Sequence, residues 1–229
     1  MKVVTLSSKQ LAGKIIDVHT HVGIGATSYV AGSYPYCQSV ESLLCRLNMY
    51  GIDCAVTFPF GEALMYDVCQ SLSQDKRVSS HSTPSGAPYA VENRLLCDEV
   101  YAKAPGAAGR ILPFLNADPG RHIRKQLKEM QAISEEYPIY GIKIAGVAVH
   151  SSHKHLMDKA EGIVRFAEER NIPILLHSTA YKDDRFCFNG INLAVAKKFP
   201  KVRFCLAHCL GFDKEHLKQA DRIANVWVD

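Results

Sequence analysis

Short unbroken apolar runs alternate along this chain with longer stretches in which apolar residues recur every three or four positions. The runs predict strands over 14–21, 54–59, 110–116, 141–145, 172–177, 202–208 and 225–229. The helical spacing predicts helices over 39–50, 90–104, 122–136, 157–170, 189–199 and 216–223. Ser39 can cap the first of these helices and Gly51 can stop it. Residues 23–38 and 79–88 are rich in Gly, Ser, Tyr or Pro and read as loops, with a weak helical pattern over 64–72. A stretch as long as 61–88 without firm periodicity reads as a lid, a binding loop or a disordered segment.

Strands this uniformly apolar suit a parallel sheet covered on both faces, where neither face needs polar residues. Regular alternation of β and α then means a closed (β/α)-type barrel or an open, doubly wound sheet. No glycine-rich phosphate fingerprint is present, which counts against the dinucleotide-binding form of the second. His177 and His208 are 31 residues apart, about one repeat of an eight-unit barrel of roughly 250 residues.

Four histidines sit where an apolar run gives out. His19 and His21 end the first run, His177 the fifth and His208 the sixth. Side chains alternate along a strand, so His19 and His21 point to one side, and two neutral imidazoles can hold a divalent ion at about 2.0–2.1 Å. In a closed barrel the C-terminal strand ends converge on the mouth that carries the chemistry. A histidine with a packing role has no reason to recur at that position.

Composition narrows the rest. With 229 residues, 47% apolar and 22% charged, the chain reads as a single globular domain with a large core. A formal charge of +4 with no dense Lys/Arg block gives nucleic-acid binding little support. No run approaches the roughly 18–20 apolar residues of a membrane span, and residues 1–10 are too polar for a signal peptide. Eight cysteines without a Cys-x-x-Cys pair read as reduced thiols, with Cys205 in the core, and point to a cytoplasmic protein. Oligomeric state leaves no local signature, which allows a homo-oligomer.

The motifs Ile-Asp-Val-His-Thr-His at 16–21, Ile-Leu-Leu-His-Ser at 174–178 and Phe-Pro-Lys-Val-Arg-Phe-Cys-Leu-Ala-His at 199–208 resemble those of the amidohydrolase superfamily. Within it, the chain is similar to the amidohydrolase-related group of aminocarboxymuconate semialdehyde decarboxylase-like enzymes. The resemblance implies a metal-dependent hydrolase or decarboxylase on a TIM-type (β/α)₈ barrel. Residue by residue, it implies His19, His21 and His177 as metal ligands and His208 as the catalytic histidine beside one divalent ion. That ion would be Zn²⁺, with Mn²⁺ as the alternative. The family's further ligand is an aspartate ending strand eight. Asp229 ends what counts as strand seven and is not promoted to that role, so the barrel is expected to lack its eighth strand and the chain to be C-terminally incomplete.

Lys143 closes the fourth strand and His150 follows it, and both are candidate substrate contacts. His153 and His155 read as part of a solvated loop with His150. Asp17, two residues before His19, is expected on the same face and can support it through a hydrogen bond. Tyr34, Tyr36, Phe58 and Phe60 border the same strand ends, as pocket lining or as packing. The expected activity is hydrolysis or decarboxylation of a small carboxylated or cyclic molecule by metal-activated water. The alternatives are a metal-dependent phosphoesterase or TatD-like nuclease, and a metal-binding fragment without catalysis.

Overall fold

The computed structural model describes residues 5–25, 36–60, 67, 70, 73–74, 78 and 86–229. The expected helix over 64–72, most of the loop over 61–88, and Tyr34 therefore lie outside the described residues. The chain divides into two compact units, residues 1–115 with 129–139 and residues 116–128 with 140–229. It passes from one unit to the other inside a strand and inside a helix.

The first unit begins with a short helix, α1 (Ser8–Leu11), closed by a reciprocal capping box between Ser7 and Gln10. Then come β1 (Ile16–Gly25), β2 (Tyr36–Gln38), α2 (Val40–Tyr50) and β3 (Cys54–Pro59). Strand β1 pairs with β3 in parallel and with β2 antiparallel, Ile24 lying opposite Cys37. The expected loop over 23–38 is thus partly sheet, because the far end of β1 outruns β3 and finds a second partner.

Helix α2 forms for the reasons its sequence suggests. Ser39 Oγ accepts the Ser42 N–H, Val40, Leu43 and Leu47 form the buried face, and Gly51 ends the helix at φ 66°. Helix α3 (Ala90–Asp98) continues as a π-helical turn, Glu99–Lys103. Strand β4 (Ile111–Ala117) is buried throughout, as is β3, and the two are parallel. Arg110 ties the turn before β3 to the start of β4, donating to Asn48 Oδ1 at 2.5 Å and to the Ile52 and Asp53 carbonyls at 2.7 and 2.8 Å. Helix α4 (Ile123–Glu136) follows.

The second unit is a regular β–α series. Strands β5 (Gly141–Ile144), β6 (Ile174–Leu176), β7 (Phe204–Leu206) and β8 (Val226–Val228) run parallel in that order. Between them lie α5 (Gly146–Val149), α6 (Glu161–Glu169), α7 (Asn189–Lys198) and α8 (Lys214–Ala220). Helix α6 starts at Glu161 and not at 157, because His153–Met157 winds as a 3-10 turn. Helix α8 starts two residues earlier than expected, at Lys214, because Asp213 caps it by accepting the Glu215 and His216 N–H groups. Such a cap contributes about 1 kcal/mol. Asn225 locks the αβ side of this unit, its amide nitrogen donating to the Val202, Phe199 and Ala196 carbonyls at 2.7, 3.0 and 3.2 Å.

Among the described residues no helix is long and apolar enough to cross a membrane. The core of the second unit is built from Ile142, Ile163, Val164, Ile174 and Phe204, all fully buried. Truncating Phe204 to Ala should cost about 3–5 kcal/mol. A urea midpoint that falls accordingly with an unchanged slope would bear this out, and an unmoved midpoint would contradict the packing described.

Candidate functional site

In the first unit the site is carried by β1. His19 and His21 are both half-buried, with ring centroids 5.8 Å apart. Phe58 meets the edges of both rings, at 5.2 Å from His19 and 4.4 Å from His21. Phe60 stacks on His21 at 4.2 Å and 15°. The two phenylalanines thus wrap the histidine pair in apolar surface, which raises the strength of any charge interaction made there.

Asp17 is a correction. The β1–β3 register slips between Asp17 and Thr20, so Asp17 lies beside Ala55 while His21 lies beside Phe58. Ala55 and Phe58 are three residues apart and face opposite ways, so Asp17 and His21 do too. Asp17 does support His19 through a hydrogen bond, to its backbone and inside the bulge, its Oδ1 accepting the His19 N–H at 3.0 Å. On the other side of the same strand, Thr20 donates to the Val56 carbonyl and contacts Thr57 Oγ1, both at 2.8 Å. The His21 carbonyl accepts from the amide of buried Gln38 at 2.8 Å.

In the second unit the chemistry gathers just past β6, β7 and β8. His177 follows β6 directly, and its N–H donates to the Ile144 carbonyl at 2.9 Å. Its Nδ1 lies 3.2 Å from Nε2 of His208, with the rings nearly perpendicular at 71°. His208 opens a turn, His208–Phe212, in which every residue has a positive φ. Asp229 holds that turn. Its carboxylate accepts the His208 N–H at 2.6 Å and its carbonyl accepts the Cys209 N–H at 2.7 Å. Asp184 also serves the His177 side. Burial opposes its charge, but N–H groups of Cys187 and Phe186 hold it below the usual carboxylate range, with His177 adding to the effect.

Lys143 is 2% exposed on β5. Register places it beside Leu175 and then Cys205, so all three share a face. Burial pushes its ammonium down to about 7, and Asp229, Cys205 and Cys187 pull part of that back. Burial in turn raises the Cys205 thiol to about 12, which keeps it an inert packing group.

The three histidines after β5 do not form a solvated loop. His153 is fully buried and belongs to the 3-10 turn, and burial lowers its pKa to about 4. His150, at φ 50°, stacks flat on Phe186 at 5.3 Å, and His155 faces Asp158. Phe186, Val147, Tyr181, Asp183, Asp184 and Arg185 line an open cavity of about 350 Å³. It is the ring partner of His150, and not His150 itself, that lines this cavity.

A metal would find suitable donors here. Two imidazole nitrogens on one tetrahedral zinc at about 2.0–2.1 Å each are about 3.3 Å apart. The His177–His208 spacing of 3.2 Å matches that edge, and it equally suits a shared proton.

A family model described as amidohydrolase matches residues 16–229. The chain belongs to the amidohydrolase family. Enzymes of this family usually hold a metal ion. Among solved structures, a TIM-barrel protein of Bordetella bronchiseptica superposes with a TM-score of 0.58 at 15% identity, covering 94% of this chain and 74% of that one. A probable 2-pyrone-4,6-dicarboxylic acid hydrolase of Acinetobacter baumannii gives 0.54 at 12%, covering 94% and 69%. The 5-carboxyvanillate decarboxylase of Sphingomonas paucimobilis gives 0.52 at 12%, covering 91% and 71%. At such identities the likeness establishes the fold, that of the TIM-barrel amidohydrolases. No curated protein sequence gives a significant match.

Residues missed from the sequence are Gln38, Asn192 and Asp184. Asn192 was open to discovery, being an amide between Leu193 and Asn189 on the buried side of a helix, where packing alone favours an apolar residue.

The buried amine has a measurable consequence. Below about pH 7 Lys143 is charged in the folded state and bears its full burial cost. Between there and its ordinary 10.5, only the unfolded chain binds the proton, so this residue makes stability rise with pH. Lys143→Met should therefore be more stable than the parent at pH 6, with an advantage that shrinks towards pH 10. Urea titrations across that range would show it, and a pH-independent difference would count against the buried ammonium.

Proposed function

We propose that this amidohydrolase is a metal-dependent hydrolase or decarboxylase acting on a small carboxylated or cyclic substrate. The observation that carries the reading is the pair of ring nitrogens, His177 Nδ1 and His208 Nε2, held 3.2 Å apart at the ends of neighbouring strands. Packing does not call for two imidazoles in that relation, whereas a shared cation or a shared proton does. The family pattern takes its ligands from His19, His21 and His177, with His208 as the catalytic histidine. A bound divalent ion, Zn²⁺ before Mn²⁺, would polarise a substrate carbonyl or carboxylate and acidify a water.

The protein's own groups do the rest. His208 can accept a proton from an attacking water or return one to the departing atom, because imidazole titrates near neutrality. Its backbone is pinned through Asp229, so its ring keeps one approach. Lys143, neutral or charged with little change in pH, can meet a substrate carboxylate. His150 supports the Phe186 side of the cavity where the remainder of the substrate would lie. All seven described cysteines are free, which suits a reducing, cytoplasmic setting and a small-molecule partner.

Metal content by plasma mass spectrometry tests this directly. The parent should carry close to one zinc or manganese ion per chain, and His177→Ala should lose most of it. His208→Ala should lose turnover of any substrate found in a carboxylate screen. A metal-free parent, or a His177→Ala variant that binds like the parent, would sink the reading.

A further inference from the structure

The backbone beside His177 is held by a buried relay. Asn192 is fully buried on α7, and its Nδ2 donates to the His177 carbonyl at 2.9 Å, to Ser178 Oγ at 3.1 Å and to the Cys187 carbonyl at 3.4 Å. Its Oδ1 lies 2.7 Å from His153 Nδ1. Two carbonyls around one end of the amide leave a single orientation, with the nitrogen towards them. The amide oxygen can only accept, so His153 carries its proton on Nδ1. Its Nε2 is then a bare acceptor, and it takes the Gly146 N–H at 2.9 Å. Gly146 must be glycine for this approach, since a Cβ there would meet His153 Cδ2 at 2.8 Å and the Ser151 carbonyl at 2.4 Å.

A second amide does the same in the first unit. Gln38, 3% exposed, donates from Nε2 to the His21 carbonyl at 2.8 Å. In both units a buried amide nitrogen therefore grips the carbonyl of a candidate histidine, His177 just beyond β6 and His21 within β1 where its parallel pairing with β3 runs out. Rotation of that peptide plane would swing the imidazole, and the amide prevents it.

We propose that Asn192 and Gln38 are positioning residues that aim His177 and His21 at a divalent metal, with His153 fixing the Asn192 amide. The inference rests on the metal-dependent reading above. A purely structural role has a matched control in the same fold. Asn225 is another buried amide gripping three carbonyls, those of Ala196, Phe199 and Val202, and no histidine is among them.

The test measures zinc affinity by chelator competition beside urea stability, for the parent and for Asn192→Ala, Asn192→Asp, Gln38→Ala and Asn225→Ala. Asn192→Ala and Gln38→Ala should bind zinc about 10–100-fold more weakly, the range for losing a group that orients a ligand. Asn192→Asp keeps the acceptor for His153 but loses the donors, so it should fall with Asn192→Ala and serve in its place if that variant does not fold. Asn225→Ala should lose stability and keep the parent's affinity. Unchanged affinity in the Asn192 and Gln38 variants, or an equal loss in Asn225→Ala, overturns the inference alone. A parent that binds no zinc overturns the metal reading and this inference with it.

Discussion

Where a parallel strand ends, its last peptide groups lose their ladder partners, yet they still have to be hydrogen-bonded. The candidate histidines of this protein lie at or near such ends, so the side chains that satisfy the backbone there also hold the peptide groups that carry them. Gln38 takes up the His21 carbonyl, Asn192 the His177 carbonyl, and Asp229 the His208 N–H. None of these three partners touches the reaction in the proposed scheme. Each supplies what a strand would have supplied had the ladder continued.

The second organising feature is the charge placed on an apolar face. Lys143 lies level with Leu175 and Cys205, and the nearby carboxylate that favours its ammonium is Asp229. The same aspartate thus has two tasks, one electrostatic and one conformational. Its backbone and side chain hold the turn that carries His208, while its charge moderates the cost of the buried lysine. Changing it would disturb the two together.

Much of this fold could be read from the chain, because continuous apolar runs such as 54–59 and 111–117 are unambiguous signs of strands covered on both faces. The histidines at their ends were legible for the same reason. What could not be read depends on interruptions of regular pairing. The period-of-two argument put Asp17 with His19, and by the same count with His21, and one extra residue in β1 parts it from His21. The antiparallel partner Tyr36–Gln38 has no apolar pattern of its own and exists through its pairing with Gly23–Gly25. His153 looked like a loop residue because its neighbours are polar, but burial follows from the turn's contact with α7, where Asn192 meets its ring.

The turn after β7 has a consequence for how this protein can change. His208, Cys209, Leu210 and Phe212 all hold left-handed backbone conformations that an L-residue adopts at a cost of roughly 1–2 kcal/mol each in a left-handed helix. Only Gly211 sits there without strain. The segment is therefore under tension, and a relaxed sequence is within easy mutational reach: glycine at 209, where Cys209 is only half-buried, whereas the fully buried Leu210 would lose more in packing than it gained. Such a variant would gain stability while loosening the aim of His208, so selection for robustness and selection for turnover pull this loop in opposite directions.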